Sequence, residues 1–182
     1  MPAIASVFIA TSLDGFIARA DGSIDWLMAA QASAPAGEDF GYQAFIDTVD
    51  ALVMGRVTFE TALSFGEWPY GQKPVYVLTR KGISIPASLQ ETVQATSESP
   101  QALIKRLESQ GLNHLYVDGG QVIQSFLAAG LIQQLTITTI PVLIGSGKPL
   151  FANLPHDIKL EHVATTSYPC GFVQSRYRTV LN

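Results

Sequence analysis

Residues His114 to Gly130 constrain the fold most. Leu115, Tyr116 and Val117 form a short apolar run of β-branched and aromatic type, which suits a buried strand. Gly119 and Gly120 follow at once. From Val122 the apolar residues recur at Val122, Ile123, Phe126 and Leu127, the one-face spacing of a helix, and Gly130 stands at the helix C′ position. A strand that runs through two glycines into a helix is the building unit of an α/β layer. The same order recurs where Ala51-Leu52-Val53-Met54 meets Gly55 and a helix opening with Arg56-Val57-Thr58. Such a turn has two readings. It is either a tight connection without a ligand or a cradle where free N–H groups and the helix dipole receive an anion. A double glycine alone does not decide between them.

Elsewhere strand and helix patterns alternate. Ile4 to Thr11 is nearly continuous in apolarity, as a strand buried on both faces is. Asp14-Gly15 and Asp21-Gly22 then mark turns. Phe16, Ile17, Ile24 and Trp26 are too apolar for a solvated loop, so this stretch reads as a folded-back covering loop or as a hairpin on the core. Gln31 to Gly41, rich in Ala, Ser, Pro and Gly, reads as a loop. Tyr42 to Val49 follows as a short helix, with Glu38 and Asp39 just before it as dipole partners. Pro74 to Arg80 is a strand centred on Val75-Tyr76-Val77-Leu78, and Val93 to Ala95 is a short edge strand. Ser99-Pro100 opens a helix as N-cap and first residue, with Leu103, Ile104 and Leu107 as its buried stripe. Leu135 to Ile140 reads as a strand continued past Pro141 by Val142-Leu143-Ile144, and Gly145 to Pro149 as a flexible loop. Lys159 to Ser167 and Phe172 to Val180 form an antiparallel hairpin around Pro169-Cys170-Gly171. The pattern predicts a single α/β domain over 1–182, with a mainly parallel central sheet and antiparallel C-terminal strands.

Composition narrows the function classes. An apolar fraction of 47% with 14% charged residues describes a packed globular chain. The net charge of −4 argues against a basic nucleic-acid-binding surface. Cys170 is the only cysteine, which excludes an intrachain disulfide and a multi-cysteine zinc site, and His114, His156 and His162 lack metal-ligand spacing. No apolar run approaches the roughly 18 residues of a membrane span, and the first residues lack a basic signal-peptide region. The expectation is a cytoplasmic protein with no membrane partner, no nucleic acid and no metal. A Gly-x-Ser-x-Gly elbow, a P-loop lysine motif and the zinc deaminase signature are all absent from the sequence.

Three stretches share one logic. Gly55 to Thr58, Thr79 to Lys81 and Gly119 to Val122 each lie at the C-terminal end of a predicted strand, and a parallel sheet gathers such ends on one edge, where ligands bind. Arg56 in a first helical turn opposes the dipole unless an anion or a carboxylate sits beside it. Thr58 is either an anion ligand or a plain N-cap. Arg80 and Lys81 are candidates for a second phosphate, or ordinary solvated cations. A dinucleotide such as a nicotinamide cofactor has this layout, although the usual Gly-x-Gly-x-x-Gly fingerprint is missing.

In order along the chain, Ser-Leu-Asp-Gly-Phe-Ile-Ala (12–18), Val-Met-Gly-Arg-Val-Thr-Phe-Glu (53–60), Val-Tyr-Val-Leu-Thr-Arg (75–80) and the run from Val-Asp-Gly-Gly-Gln to Gly-Ser-Gly-Lys-Pro-Leu-Phe (117–151) resemble the dihydrofolate reductase-like superfamily. The branch they most resemble is the RibD C-terminal domain of riboflavin biosynthesis. The resemblance implies a three-layer fold and an NADPH-dependent reductase acting on a small pteridine-like or pyrimidine substrate, such as 5-amino-6-(5-phosphoribosylamino)uracil. It implies that Gly55, Arg56, Val57 and Thr58 hold cofactor phosphates, and that Thr79 and Arg80 meet the adenosine ribose and its 2′-phosphate. Gly119, Gly120, Gln121 and Val122 would wrap the pyrophosphate, with Ala10 beside the nicotinamide. Asp14 and Trp26 would face substrate, and Glu38 or Asp39 would be the proton donor. A homodimer through the C-terminal strands is implied as well. Gln133-Gln134 stand where the riboflavin branch often carries Asp-Glu. The rival reading is a nicotinamide-nucleotide-binding regulatory protein without turnover.

Overall fold

The computed structural model describes residues 3 to 180. Its centre is an eight-stranded sheet of order β5-β4-β3-β6-β1-β7-β10-β9. The strands are β1 (Ile4–Ser12), β3 (Ala51–Gly55), β4 (Val75–Leu78), β5 (Val93–Thr96), β6 (His114–Asp118), β7 (Gln134–Ile140), β9 (Leu160–Ser167) and β10 (Val173–Thr179). From β5 to β7 every pairing is parallel, and β10 and β9 then add in antiparallel sense. All the parallel strands therefore end on one edge.

Alternation of side chains across the pleat divides the core into two layers. Ala51 and Val53 of β3, with Leu115 and Val117 of β6, pack under α4 (Pro100–Ser109) and α5 (Gly120–Ala128). Leu52, Met54 and Tyr116 point the other way, with Phe59 of α3 (Arg56–Ser64) and Ile46 of α2 (Tyr42–Asp47). Burial on both faces is why β3 reads as an unbroken apolar run. The result is a helix–sheet–helix sandwich, as the sequence pattern leads one to expect.

Three stretches differ from the sequence reading. Asp25–Gln31 is a helix, α1, where the pattern around Ile24 and Trp26 reads as a covering loop or a hairpin. Its Trp26 is 5% exposed, packed against Ile140 and Phe172. A short helix of this kind draws its stability from packing against distant residues, which a local pattern does not contain. Val142 to Ile144 do not extend β7; instead, Leu13 N–H donates to Val142 O at 2.8 Å. Phe16–Ala18 forms β2 and pairs with β8 (Lys148–Pro149), a segment whose sequence pattern reads as a flexible loop. A Cβ at Gly147 would collide with Ala18 O, so only glycine lets these two segments meet. Asp14 fastens the same junction by accepting the N–H groups of Gly145 at 2.8 Å and Ile144 at 3.3 Å. The pair of segments forms a strap over one end of the sheet edge.

Candidate functional site

A cleft of about 1290 Å³ runs along the edge where the parallel strands end. Neighbouring strands β3 and β6, in register at Met54 and Asp118, deliver helices α3 and α5 into it side by side. Their N-caps are Gly55 and Gly119, and neither helix start receives a side-chain cap. Helix α4 is built differently, because Ser99 Oγ accepts the N–H of Ala102 at 3.2 Å. Uncapped first turns leave N–H donors open and concentrate the positive end of the dipole at the cleft wall. Gly119 sits at φ +92°, and a Cβ there would lie 2.5 Å from Thr58 Oγ1. Glycine is thus required for the two helix starts to approach.

Ala10, Gly55, Arg56, Val57, Thr58, Thr79, Arg80, Gly119, Gly120, Gln121 and Val122 all line this one cleft. Arg56 also pairs with Glu60 one turn along α3, at 2.8 Å, with both side chains partly exposed. That ion pair relieves its conflict with the helix dipole while leaving it beside the cleft. The Thr79 hydroxyl is engaged within its own turn, donating to Lys81 O at 2.8 Å and accepting from Lys81 N at 3.1 Å. Arg80 and Lys81 are exposed and have no ion-pair partner among the described residues.

The acidic and substrate-side residues fall out differently. Asp39 borders the cleft, but its carboxylate accepts the N–H groups of Gln43 and Gly41, each at 2.9 Å. Those bonds, Gln43 first, hold it below the usual carboxylate range, which keeps it ionised rather than ready to donate a proton. Glu38 accepts the N–H of Phe40 at 2.8 Å and is not part of the cleft wall. Asp14 is spent on the strap, and the hydroxyl of Ser12, ahead of the Gly145 and Ile144 N–H groups, keeps its carboxyl low. Trp26 lies one layer behind the wall, supporting the cleft residues Ile140 and Phe172. The geometry therefore removes Asp14 and Trp26 from the cleft surface and sets Glu38 and Asp39 in loop-capping roles.

The sequence pattern assigns no role to Asp118. It ends β6 directly before the double glycine and lines the cleft floor, half-buried. Loss of solvation pushes its carboxyl up to about 6, against the opposing N–H of Gly119 at 2.9 Å. Their own burial, with its charge second, raises the tyrosines around it. Tyr42 is pushed up to about 12, and Tyr70 and the buried Tyr116 are also pushed well above the usual range. Phe8 packs edge-on to Tyr42 with ring centroids 5.7 Å apart, and Tyr116 OH donates to Phe8 O at 2.8 Å. One end of the cleft is thus an aromatic recess holding a carboxyl that burial pushes up to about 6. The available signal in the sequence was a carboxylate at a strand's C-terminal end, where α/β sheets bind ligands. Among the described residues no group of His, Cys, Asp and Glu is placed to hold a metal ion, and no helix is long and apolar enough to cross a membrane.

A three-layer α/β domain with a mainly parallel sheet, antiparallel C-terminal strands and a cleft at its strand ends has the dihydrofolate reductase-like architecture. The chain belongs to the RibD C-terminal domain family, which matches residues 4–174. It is 36% identical over 165 residues to the uncharacterised protein YwjB of Bacillus subtilis (strain 168), covering 89% of this chain and 90% of that one. A crystal structure from Shewanella sp. PV-4, provisionally described as a riboflavin biosynthesis protein, superposes with a TM-score of 0.91 at 37% identity, covering 98% and 99% of the two chains. The deaminase/5-amino-6-(5-phosphoribosylamino)uracil reductase of Thermotoga maritima shares the fold at a TM-score of 0.72 and 14% identity. That match covers 98% of this chain and 57% of the other. The fold is that of the riboflavin-pathway reductases, and at a coarse level the family is one of oxidoreductases.

Proposed function

We propose that this protein is an NADPH-dependent reductase of a small heterocycle of pteridine or pyrimidine type. The observation that carries the reading is the meeting of two uncapped helix N-termini at Gly55 and Gly119, in one cleft with Arg80 and Lys81, cations without an ion-pair partner among the described residues. A dinucleotide with a pyrophosphate and a further phosphate fits that donor set. The N–H groups opening α3 and α5 would hold the pyrophosphate, with Arg56 and Thr58 beside them. Arg80 and Lys81 would receive the phosphate on the adenosine ribose. When bound, NADPH supplies a hydride for an electron-poor C=N or C=O carbon.

The chain's own residues do the rest. Phe8, Phe40, Tyr42 and Tyr70 wall the recess and exclude water from a flat ring. Asp118, rather than Glu38 or Asp39, carries the proton at the reducible end. A carboxyl that titrates at about 6 is protonated in a useful fraction near neutral pH and remains acidic enough to give the proton up. The uracil reductase activity named for the Thermotoga maritima protein makes aminopyrimidines the first substrates to try.

The test has two readouts on the purified protein. A thermal shift with saturating NADPH, compared with NADH, reports the cofactor, and no shift with either overturns the reading. Steady NADPH oxidation across a panel of dihydropteridines and aminopyrimidine ribosides reports turnover. Binding without oxidation of any panel member would favour the nucleotide-binding regulator instead.

A further inference from the structure

The cations at the end of β4 share the cleft wall with a carboxylate, Glu98, that is engaged elsewhere. Strands β4 and β5 run parallel with Leu78 opposite Thr96, and Thr79 N–H donates to Thr96 O at 2.9 Å. Beyond that last pair the two segments continue as Arg80-Lys81 and Ser97-Glu98, and Arg80, Lys81 and Glu98 all line the cleft. A free carboxylate there would pair with Arg80 or Lys81, and would repel any anion those cations attract. Glu98 does neither. Arg106, from the last turn of α4, reaches back and grips it through Nη2 at 2.7 Å and Nε at 3.0 and 3.1 Å. The Thr96 hydroxyl donates a fourth bond at 2.7 Å. Arg106 is itself seated over the ring of Tyr76, 5.2 Å from its centroid, and is not part of the cleft wall. The Ser99 cap and Pro100 fix where α4 begins, so they also set where Arg106 falls.

We infer that Arg106 is a positioning residue for ligand selectivity: by holding Glu98 it leaves Arg80 and Lys81 open to a phosphate monoester, and so favours a 2′-phosphorylated dinucleotide over its 2′-hydroxyl counterpart. This rests on the reading of the cleft as a nicotinamide-nucleotide site. The guanidinium fork matches both carboxylate oxygens, a match lysine lacks. With the fork removed, Glu98 becomes a free anion on the same cleft wall as Arg80 and Lys81. A free carboxylate at that point disfavours a phosphate and accepts a hydrogen bond from a ribose hydroxyl, which is the opposite preference.

The experiment measures equilibrium binding of NADPH, NADH and 2′,5′-ADP to wild type, R106M, R106K and the E98Q/R106M double variant, each checked for folding by circular dichroism. In R106M the affinity for NADPH and 2′,5′-ADP should fall roughly tenfold while that for NADH changes less than about twofold. R106K should show a smaller loss in the same direction, and it provides the measurement if R106M folds poorly. The double variant should recover NADPH affinity to within about threefold of wild type, because the carboxylate charge is gone. A purely structural clasp gives no such rescue. Equal weakening of both dinucleotides, or no recovery in the double variant, overturns the inference while the nucleotide site stands. Equal wild-type affinity for NADPH and NADH does so too. Wild type binding none of the three probes overturns the nucleotide reading, and the inference with it.

Discussion

Replacing Asp118 by Asn should make the protein more stable and less active. In the folded state the carboxyl is raised from its ordinary 3.8 to about 6, with burial as the main cause. The folded form therefore holds the proton more tightly than the unfolded chain. Between about pH 4 and pH 6 it binds more protons than the unfolded form, and stability falls as pH rises through that window. Above pH 6 the full cost of burying a charge remains. The difference corresponds to about 3 kcal/mol, and partial exposure of the group brings the expected effect to about 2 kcal/mol. Asn is neutral at every pH, and its oxygen can still accept the Gly119 N–H that Asp118 accepts at 2.9 Å. D118N should thus gain about 2 kcal/mol at pH 8, or about 4–8 °C in Tm, and the gain should vanish near pH 4. Urea denaturation of both proteins from pH 4 to pH 8, at constant m-value, measures it. A difference that does not change with pH would refute the argument, as would a loss of stability at pH 8. Removal of an acid that transfers a proton in the rate-limiting step should lower kcat by roughly 100-fold or more. Stability gained at the expense of turnover marks a group kept for function.

Two further substitutions test the phosphate wall. Gly119→Ala combines φ +92° with a Cβ 2.5 Å from Thr58 Oγ1, so urea denaturation should show a loss of about 1–3 kcal/mol together with weaker NADPH binding. An unchanged midpoint would mean that α3 and α5 tolerate separation at their starts. Arg56→Ala removes only an exposed one-turn pair with Glu60 and should cost the fold less than about 0.5 kcal/mol, while NADPH affinity measured by fluorescence titration drops roughly tenfold. Unchanged affinity in the folded variant would leave Arg56 as a partner of Glu60 alone.

Much of the architecture was legible because it rests on local periodicity. Val53 and Leu52 lie on opposite faces of β3 because a strand alternates, and both are apolar because helices cover both faces. Ser99-Pro100 and the stripe Leu103, Ile104, Leu107 define α4 without reference to anything distant. Val142-Leu143-Ile144 misled, since β propensity expresses packing against a partner strand, and here the segment meets the β1–β2 turn instead. Trp26 resembled a cleft residue by its place after the first loop, but its depth depends on Ile140 and Phe172, more than a hundred residues away.

The sequence by itself determined that strand ends carrying Gly55, Thr79 and Gly119 would gather on one edge. Parallel strands joined by crossover helices have no other arrangement, and glycine at a strand–helix turn is a backbone property readable from one residue. Which carboxyl at that edge is pushed toward its neutral form was decided only by the tertiary structure. Asp39 and Asp118 are the same side chain, yet two backbone N–H groups hold one ionised while burial at the cleft floor, beside tyrosines from three separate segments, pulls the other toward neutrality. Solvation and hydrogen bonding are sums over neighbours in space, and those neighbours exist only once the chain has folded.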